Sequence, residues 1–545
     1  MPLAAPAERS VPRVVLFRPS PIDRDTRAKK IALTLARGGY DVVVLTPVRP
    51  GEPRDERRLG PVRVLPVLLE TTHQDVHNLG IAHRRRRRVA LISRLPVDEY
   101  VTRLNERRAR ARRAAATARR RRAAVSLTSP RGLAAAVRWA LARSLSVEAR
   151  TSATVLRARQ EGQVRLDRLV RRGWTAYDER RRSSTLLATD HGSLPELVDI
   201  GRAFWKALDD LQPDVLHAHH PLVLPAALRA ARRLRAQGRA CQVVYDAREN
   251  FAGIPEAEQG SPRRHAVLVR QEARTIRDVD AVITVSDPIA DELRSRYQLP
   301  QRPSVVLNVP VRAAGAAAGP TVREAAGVGT DVPLLVYSGG ISRARGLDVL
   351  VRSLADLPGV HLVLVPVPHP HPMTPELNAL AAELGVADRL HVVPPTDQDH
   401  LIRYLSGADV AVHPMPGGSP NHDQALPNKL FEYLHARLPL VVSDARLMAE
   451  FVRTNDLGAV FTSGDPATLA AAVRQVLDHR PDDAHLDDLA AAFSWQGQER
   501  ALLDLYASLV PPAGAGDAQL SADFPSLEVT GDGSRLDLPA SPEQM

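Results

Sequence analysis

The chain has one cysteine, Cys241, in 545 residues. Neither an internal disulfide nor a cysteine cage for a metal can form, and a reducing, cytoplasmic setting is the natural expectation. Long apolar runs are also missing. The longest are pieces such as VHLVLVPV between charged segments, far short of the roughly 18–20 residues that cross a bilayer. The N-terminal MPLAAPAERSVPRVVLF lacks a basic stretch followed by a long apolar one, so no secretory signal is expected. Lysine is scarce, with four against 69 arginines, a ratio that coding bias produces without selection at any site. Charge location, rather than arginine identity, therefore carries information. Hydrophobic residues at 44% and charged residues at 25% exclude a wholly disordered, collagenous or coiled-coil chain. The length asks for two to four folded units, at roughly 100–200 residues each.

The net charge of +11 is concentrated in one place. Between His83 and Arg182 stand 29 arginines, no lysine and 8 acidic residues, a balance of +21, so the remainder carries 11 − 21 = −10. Within this stretch Leu133, Val137, Leu141 and Leu145 recur every four residues, with Arg131, Arg138 and Arg143 on other faces. That spacing predicts an amphipathic basic helix. The neighbouring RLNERRARARRAAATARRRR has arginine around most of its circumference and cannot be core.

Outside this insert a repeated grammar appears. RVVLF, a polar loop RPSPIDRDTR, the helical AKKIALTLARGGY and the apolar DVVVLTP make one strand–helix–strand unit. PDVLHAHH, PAALRAARRLRAQGR and QVVYDA repeat it, as does DAVITVSDPIADELRSRY, with Asp287 as the expected helix cap, followed by SVVLNVP. After the Ala, Gly and Pro stretch VPVRAAGAAAGPT the pattern restarts at PLLVYSGG, with a helix from Gly346 to Leu357, and continues through VHLVLVPV, LHVVPP, ADVAVHP, PLVVSD and GAVFT. Strands alternating with helices predict parallel sheets covered on both faces. The fold class is thus α/β, with two Rossmann-like doubly wound domains and a basic helical insert in the first. The expected divisions are 12–310 (including the insert at 70–200), 325–490, a closing helix at 491–510 and a disordered acidic tail at 511–545.

The most informative stretch is SPNHDQALPNKLFEYLHARLPLVVSD, from Ser419 to Asp444. Pro427 and Asn428 end an irregular loop and Lys429–Ala436 is predicted helical, so amides at a helix start stand beside a lysine. This combination favours an anionic group such as a diphosphate; the plainer reading is a helix that simply begins with Asn-Lys. PNKLFEYL, about 80 residues after YSGGISRARGL, resembles the retaining glycosyltransferases of family 4. That resemblance implies the glycosyltransferase B fold, two Rossmann-like domains facing a cleft, and a nucleotide-sugar donor held by the C-terminal domain. The family's Glu, seven residues, Glu pattern places its second Glu on Glu432, expected at the donor ribose, while its first position is Gln424. The backbone of Pro427, Asn428, Lys429 and Leu430 would line the phosphate pocket. The turn Gly339-Gly340 and the pair Arg345-Gly346 match the family's diphosphate-binding turn, although Gly340 stands where many members have Arg. YSGGISRARG has the wrong glycine spacing for a dinucleotide fingerprint, which favours transfer over hydride chemistry.

In the first domain the opening loop resembles the family's acceptor-side segment and contains Asp25 and Arg27; helix capping is the plainer role for Asp25. His219 and His220 follow a strand end, where open α/β sheets bind ligands. Asp246, Ala247, Arg248 and Glu249 stand where many relatives have D-x-H-E, making His219, Asp246 and Arg248 the candidate catalytic group. SWQGQERALLDLY resembles the family's closing helix. The resemblance implies transfer of a sugar from a UDP- or GDP-sugar to an acceptor hydroxyl, with no obligatory cofactor or metal, in cell-surface polysaccharide or glycolipid synthesis. A catalytically inactive scaffold of the same fold, or less readily a sugar-nucleotide epimerase, stays open as the alternative. Partners expected are a nucleotide sugar, a lipid-linked or saccharide acceptor, and an anionic membrane surface at the insert on the cytoplasmic side. Nucleic acid is disfavoured, because the insert offers only Tyr100, Trp139, Trp174 and Tyr177 for stacking.

Overall fold

The computed structural model describes residues 11–71, 97–123, 128–141, 196–255, 258, 261–312 and 319–512, with scattered residues between 143 and 176. Leu145, Trp174, Tyr177 and the expected disordered tail beyond 512 lie outside the described residues. Two compact units divide the chain: Met1–Gln74 with Thr185–Met545, and Asp75–Ser184.

The larger unit holds two sheets. Strands β1 (Arg13–Phe17), β2 (Asp41–Val48), β3 (Arg57–Leu59), β4 (Val62–Leu68), β5 (Val215–Ala218), β6 (Gln242–Ala247), β7 (Ala281–Thr284) and β8 (Ser304–Val305) form the first, in the order β3-β4-β2-β1-β5-β6-β7-β8. Only β3 runs antiparallel, against β4. The second contains β9 (Leu334–Gly339), β10 (His361–Pro366), β11 (Leu390–Val392), β12 (Val410–His413), β13 (Leu440–Ser443) and β14 (Gly458–Phe461), all parallel, in the order β11-β10-β9-β12-β13-β14. In each sheet the chain winds outward one way from its first strand and then returns to the other side. The switch points are β1/β5 and β9/β12, whose C-terminal ends open a crevice for ligands. The edge pair β3–β4 is an addition to the expected elements, since RRLGPVRVLPVL is short and interrupted by proline.

The strands are long in Val, Ile and Leu because both faces are buried: Val14, Val15, Leu16 and Phe17 are all fully buried. Helix α1 (Thr26–Arg37) begins at Asp25, whose side chain accepts the Ala28 amide, and ends at Gly38 before Gly39 takes a left-handed φ of 88°. The helix after β7 is capped by Ser286 rather than by Asp287, which is its first helical residue, because the Ser286 hydroxyl reaches the Ile289 amide. The helix expected at 346–357 divides into Leu347–Ser353 and a short turn at Leu354–Asp356.

Within the smaller unit, helix α2 (Val97–Ala123) is the long arginine-rich segment. A further helix covers 130–141. Helix α3 (Asn428–His435) and helix α4 (Trp495–Leu509) belong to the larger unit. One apolar core runs from Ile31 and Leu35 on α1, through Trp495, Leu502 and Tyr506 on α4, to Leu430 and Phe431 on α3, and so joins the two sheets. Among the described residues no helix is long and apolar enough to cross a membrane.

Candidate active site

At the β9/β12 switch point two cations converge on one glycine turn. Gly339 has φ 119°, and a Cβ there would stand 2.1 Å from Lys429 Cε and 2.6 Å from Nζ. Only glycine allows both that backbone conformation and the lysine packed over it. A Cβ on Gly340 would lie 3.5 Å from Arg345 Nη1, whose guanidinium reaches back to the Gly340 carbonyl at 3.4 Å. Gly346 has φ 67° and lies close to the Pro414 carbonyl. Neither Lys429 nor Arg345 forms an ion pair among the described residues. Burial, with Arg345 beside it, pushes the Lys429 ammonium down to about 8. A half-buried lysine beside a second cation, with Glu432 as a nearby opposite charge, offers an anion a place to bind.

Lys429 is the second residue of α3, and Pro427 caps that helix without a side-chain hydrogen bond. The amides of Asn428 and Lys429 therefore have no partner inside the helix. The Leu430 amide differs from expectation, since it donates to the Pro427 carbonyl at 3.0 Å, and the Leu430 side chain is core. One turn on, Glu432 Oε1 accepts from Asn428 Nδ2 at 3.0 Å and from Gln398 Nε2 at 3.3 Å.

Gln424 is turned elsewhere. Its Oε1 accepts from Asn250 Nδ2 at 2.9 Å, and its backbone carbonyl accepts from Ser286 Oγ at 2.6 Å, both from the first-sheet side. That oxygen joins the two lobes. Asn421 adds an acceptor for the Asn250 amide at 3.0 Å, and His422 Nε2 meets Glu258 Oε1 at 3.2 Å.

Across the crevice, at the C-terminal ends of β1, β5 and β6, lies a network of buried charges. Asp246 accepts from Arg27 Nη2 at 2.9 Å and from Arg248 Nε at 2.9 Å. Arg248 Nη1 donates to Asp25 Oδ2 at 2.7 Å, and Arg18 donates to the same oxygen. Burial would raise both carboxyls, but the surrounding guanidiniums override it and hold Asp25 and Asp246 below the usual range. Arg27, expected on the acceptor side, is enclosed in this network. Its side chain is 1% exposed, and its three nitrogens bond to Asp246 and to the Val306 and Leu307 carbonyls. Asp25 is a helix cap and a member of the same network.

Arg248 Nη2 lies 2.7 Å from His219 Nδ1, which also lies 3.0 Å from Asp246 Oδ2. A guanidinium can only donate, and Asp246 Oδ2 already receives Arg27 and Arg248. Nδ1 of His219 is therefore the acceptor for Arg248, and Nε2 carries the proton. Burial, then Arg248, push His219 down to about 4, so the ring is neutral near pH 7. Its Nε2 is buried without a partner, as is that of His217, whose ring centre lies 4.2 Å from that of His219 with the planes tilted by 33°. His217 Nδ1 meets the Tyr506 hydroxyl from α4. His217, His219 and Asp246 could bring ligand atoms within 4.8 Å of one another, but two guanidiniums on Asp246 oppose a metal cation there.

Three residues were not singled out by pattern. Tyr506 is distant in sequence from His217, and Asn250 from Gln424; only folding brings each pair together. His413, at the end of β12, has both ring nitrogens buried without partners, and burial with Lys429 and Arg345 nearby keeps it neutral. Its place at a strand end in ADVAVHP was the available signal.

Two doubly wound parallel-sheet lobes in one chain are the glycosyltransferase B architecture. Solved structures agree on the fold. Sucrose-phosphate synthase from Thermosynechococcus elongatus aligns with a TM-score of 0.56 at 15% identity, over 91% of this chain and 99% of that one. The E. coli trehalose-6-phosphate structure bound with UDP-2-fluoro glucose aligns with 0.52 at 12% identity, over 91% and 98%. The family model of glycosyl transferases group 1 matches residues 332–479, and that of glycosyltransferase family 4 matches 154–311. Each model covers less than a third of the chain, whose C-terminal lobe is similar to the group 1 glycosyl transferases and whose N-terminal part is similar to glycosyltransferase family 4. Relatives include the D-inositol 3-phosphate glycosyltransferases of Mycolicibacterium gilvum, 28% identical over 54% of this chain, and of Geodermatophilus obscurus, 31% identical over 34%. The matched stretches span 65% and 42% of those proteins, less than two thirds of either.

Proposed function

We propose that the protein transfers a sugar from a nucleoside-diphosphate sugar to an acceptor hydroxyl with retention, the stereochemistry of the family it resembles. The observation that carries this reading is the convergence of Lys429 and Arg345 on the Gly339-Gly340 turn beside the start of α3. There the two cations and the helix amides would bind the diphosphate and stabilise the charge that develops on it as the glycosidic bond breaks. Glu432, one helical turn from Lys429, would accept from ribose hydroxyls. On the opposite lobe His219 Nε2–H is a donor without a protein acceptor, suited to a sugar hydroxyl oxygen. UDP- and GDP-sugars are the donors to try first. D-inositol 3-phosphate, after the relatives' name, and lipid-linked saccharides of cell-surface glycolipid or polysaccharide synthesis are the first acceptors.

The test is thermal unfolding with UDP, GDP and ADP. A ligand that binds only the folded state raises its melting temperature. One diphosphate is expected to do so, with the shift lost in Lys429→Ala and Arg345→Ala. The shift should also shrink between about pH 7 and about pH 9.5, because Lys429 is charged below about 8 and neutral above it, and the anion favours the charged form. No shift with any nucleotide in a folded protein would instead favour the inactive scaffold, a reading to which the engagement of Gln424 by Asn250 already lends some weight.

A further inference from the structure

Of the seven large hydrophobic side chains exposed among the described residues, five belong to the unit Asp75–Ser184: Leu133, Val137, Leu141, Val147 and Leu169. Leu133, Val137 and Leu141 form a row on the 130–141 helix and are 61%, 54% and 57% exposed. This helix packs with its small face. Gly132 is buried and Ala135, Ala136 and Trp139 are half-buried, while the Arg122 guanidinium of α2 sits 4.4 Å from the Trp139 ring centre. The aliphatic residues face away from that contact. At 100° per residue the row spans an arc of about 80°, with Arg138 and Arg131 about 60–80° beyond one edge and Arg143 about 80° beyond the other. All three arginines are exposed, as are Arg112, Arg113 and Arg119 to Arg122 on α2.

An uncovered aliphatic row between arginines requires an occupant that is apolar in depth and anionic at its surface. A nucleic acid would satisfy the arginines but not the leucines. A second copy of this unit would bring +21 against +21 over residues 83–182. A bilayer with acidic headgroups meets both demands. We propose that the 75–184 unit is a membrane-docking module. Leu133, Val137 and Leu141 enter the headgroup–acyl boundary, and the arginines reach lipid phosphates with their stems lying along the same surface. Over Leu133 to Leu141 the helix is about 12 Å long, enough to lie in the interface and not to span it.

The proposal does not depend on the transfer reading, and its test needs no activity. The full chain is floated with phosphatidylcholine vesicles with and without phosphatidylglycerol. Binding is expected to the anionic vesicles, to weaken with added salt, and to fall roughly tenfold or more in the triple variant Leu133→Gln, Val137→Gln, Leu141→Gln. The double variant Arg131→Gln, Arg138→Gln should weaken binding to anionic vesicles and lower its salt dependence while keeping the same melting temperature. These side chains are exposed, so the variants should fold, and unchanged melting temperatures check that. The proposal is overturned by absence of binding, by equal binding to neutral vesicles, by a triple variant that binds like the wild type, or by homogeneous RNA that outcompetes the vesicles.

Discussion

Arg248 occupies a position where a histidine is expected from the family pattern, and the change has a chemical consequence for its neighbour. Because the guanidinium donates to His219 Nδ1 at 2.7 Å, the neutral imidazole is fixed as the Nε2–H tautomer, with Nε2 a buried donor that has no protein acceptor. In Arg248→Ala the Nδ1 nitrogen would be free to donate to Asp246 instead, and the tautomer should reverse. The 15N spectrum of histidine-labelled protein reads this directly: His219 Nδ1 should show the shift of an unprotonated nitrogen in the wild type and of a protonated one in the variant. A protonated Nδ1 already in the wild type would assign the tautomer to Asp246, and an unprotonated one in both proteins would show that Arg248 does not set it. Lys30 illustrates the same cation crowding on the outside of the cluster. Burial, with Arg27 nearby, pushes its ammonium down to about 7, although it lies 4.7 Å from the Trp495 ring centre.

Helix α4 returns from the second lobe and is fastened to α1 through Thr34 and Arg37. Thr34 Oγ1 donates to Glu499 Oε1 at 2.8 Å and accepts from Trp495 Nε1 at 2.9 Å, and Arg37 Nη2 reaches the same Glu499 oxygen at 2.8 Å. Thr34→Val keeps the shape but leaves the indole N–H unpaired in the core, a loss of about 1–3 kcal/mol. Urea unfolding should show it, and Thr34→Ser should recover most of it. Because α4 also delivers Tyr506 to His217, this element links the closing segment to the histidine pair at the end of β5. In the small unit, by contrast, the predicted amphipathic helix exists but presents its apolar row outward, which periodicity alone cannot reveal.

On the scale of the molecule, the two lobes meet along the crevice through Asn250, Gly253 and Ser286 on one side and Pro420, Asn421 and Gln424 on the other. A Cβ on Gly253 would be 2.8 Å from Pro420 Cβ and 2.9 Å from the Asn421 amide, so the backbones approach closely there. Asn250→Ala removes a buried donor to Gln424 and the acceptor of the Gly253 amide. Small-angle scattering should then give a larger radius of gyration than for the wild type, whereas Gln424→Glu, which keeps an acceptor oxygen, should leave it unchanged. An unaltered Asn250→Ala profile would mean that α4 and the shared core alone fix the lobes.

Much of this could be read without coordinates. Alternating apolar runs and amphipathic segments imply parallel sheets because a strand buried on both faces must be apolar throughout, and RVVLF, QVVYDA and HLVLVP show that directly. Gly339-Gly340, Arg345-Gly346 and the Asn-Lys helix start were legible because each is a local backbone device with a fixed spacing. The strand pair at 57–68 was not, since its edge position tolerates charge and proline. Nor was the use of Arg27, Gln424 and Tyr506, whose partners stand 219, 174 and 289 residues away. Local periodicity determined the layers, because those depend on neighbours along the chain. Only the tertiary structure decided which polar groups face the crevice and which neutralise one another inside, because a buried charge is defined by the partners that folding brings to it.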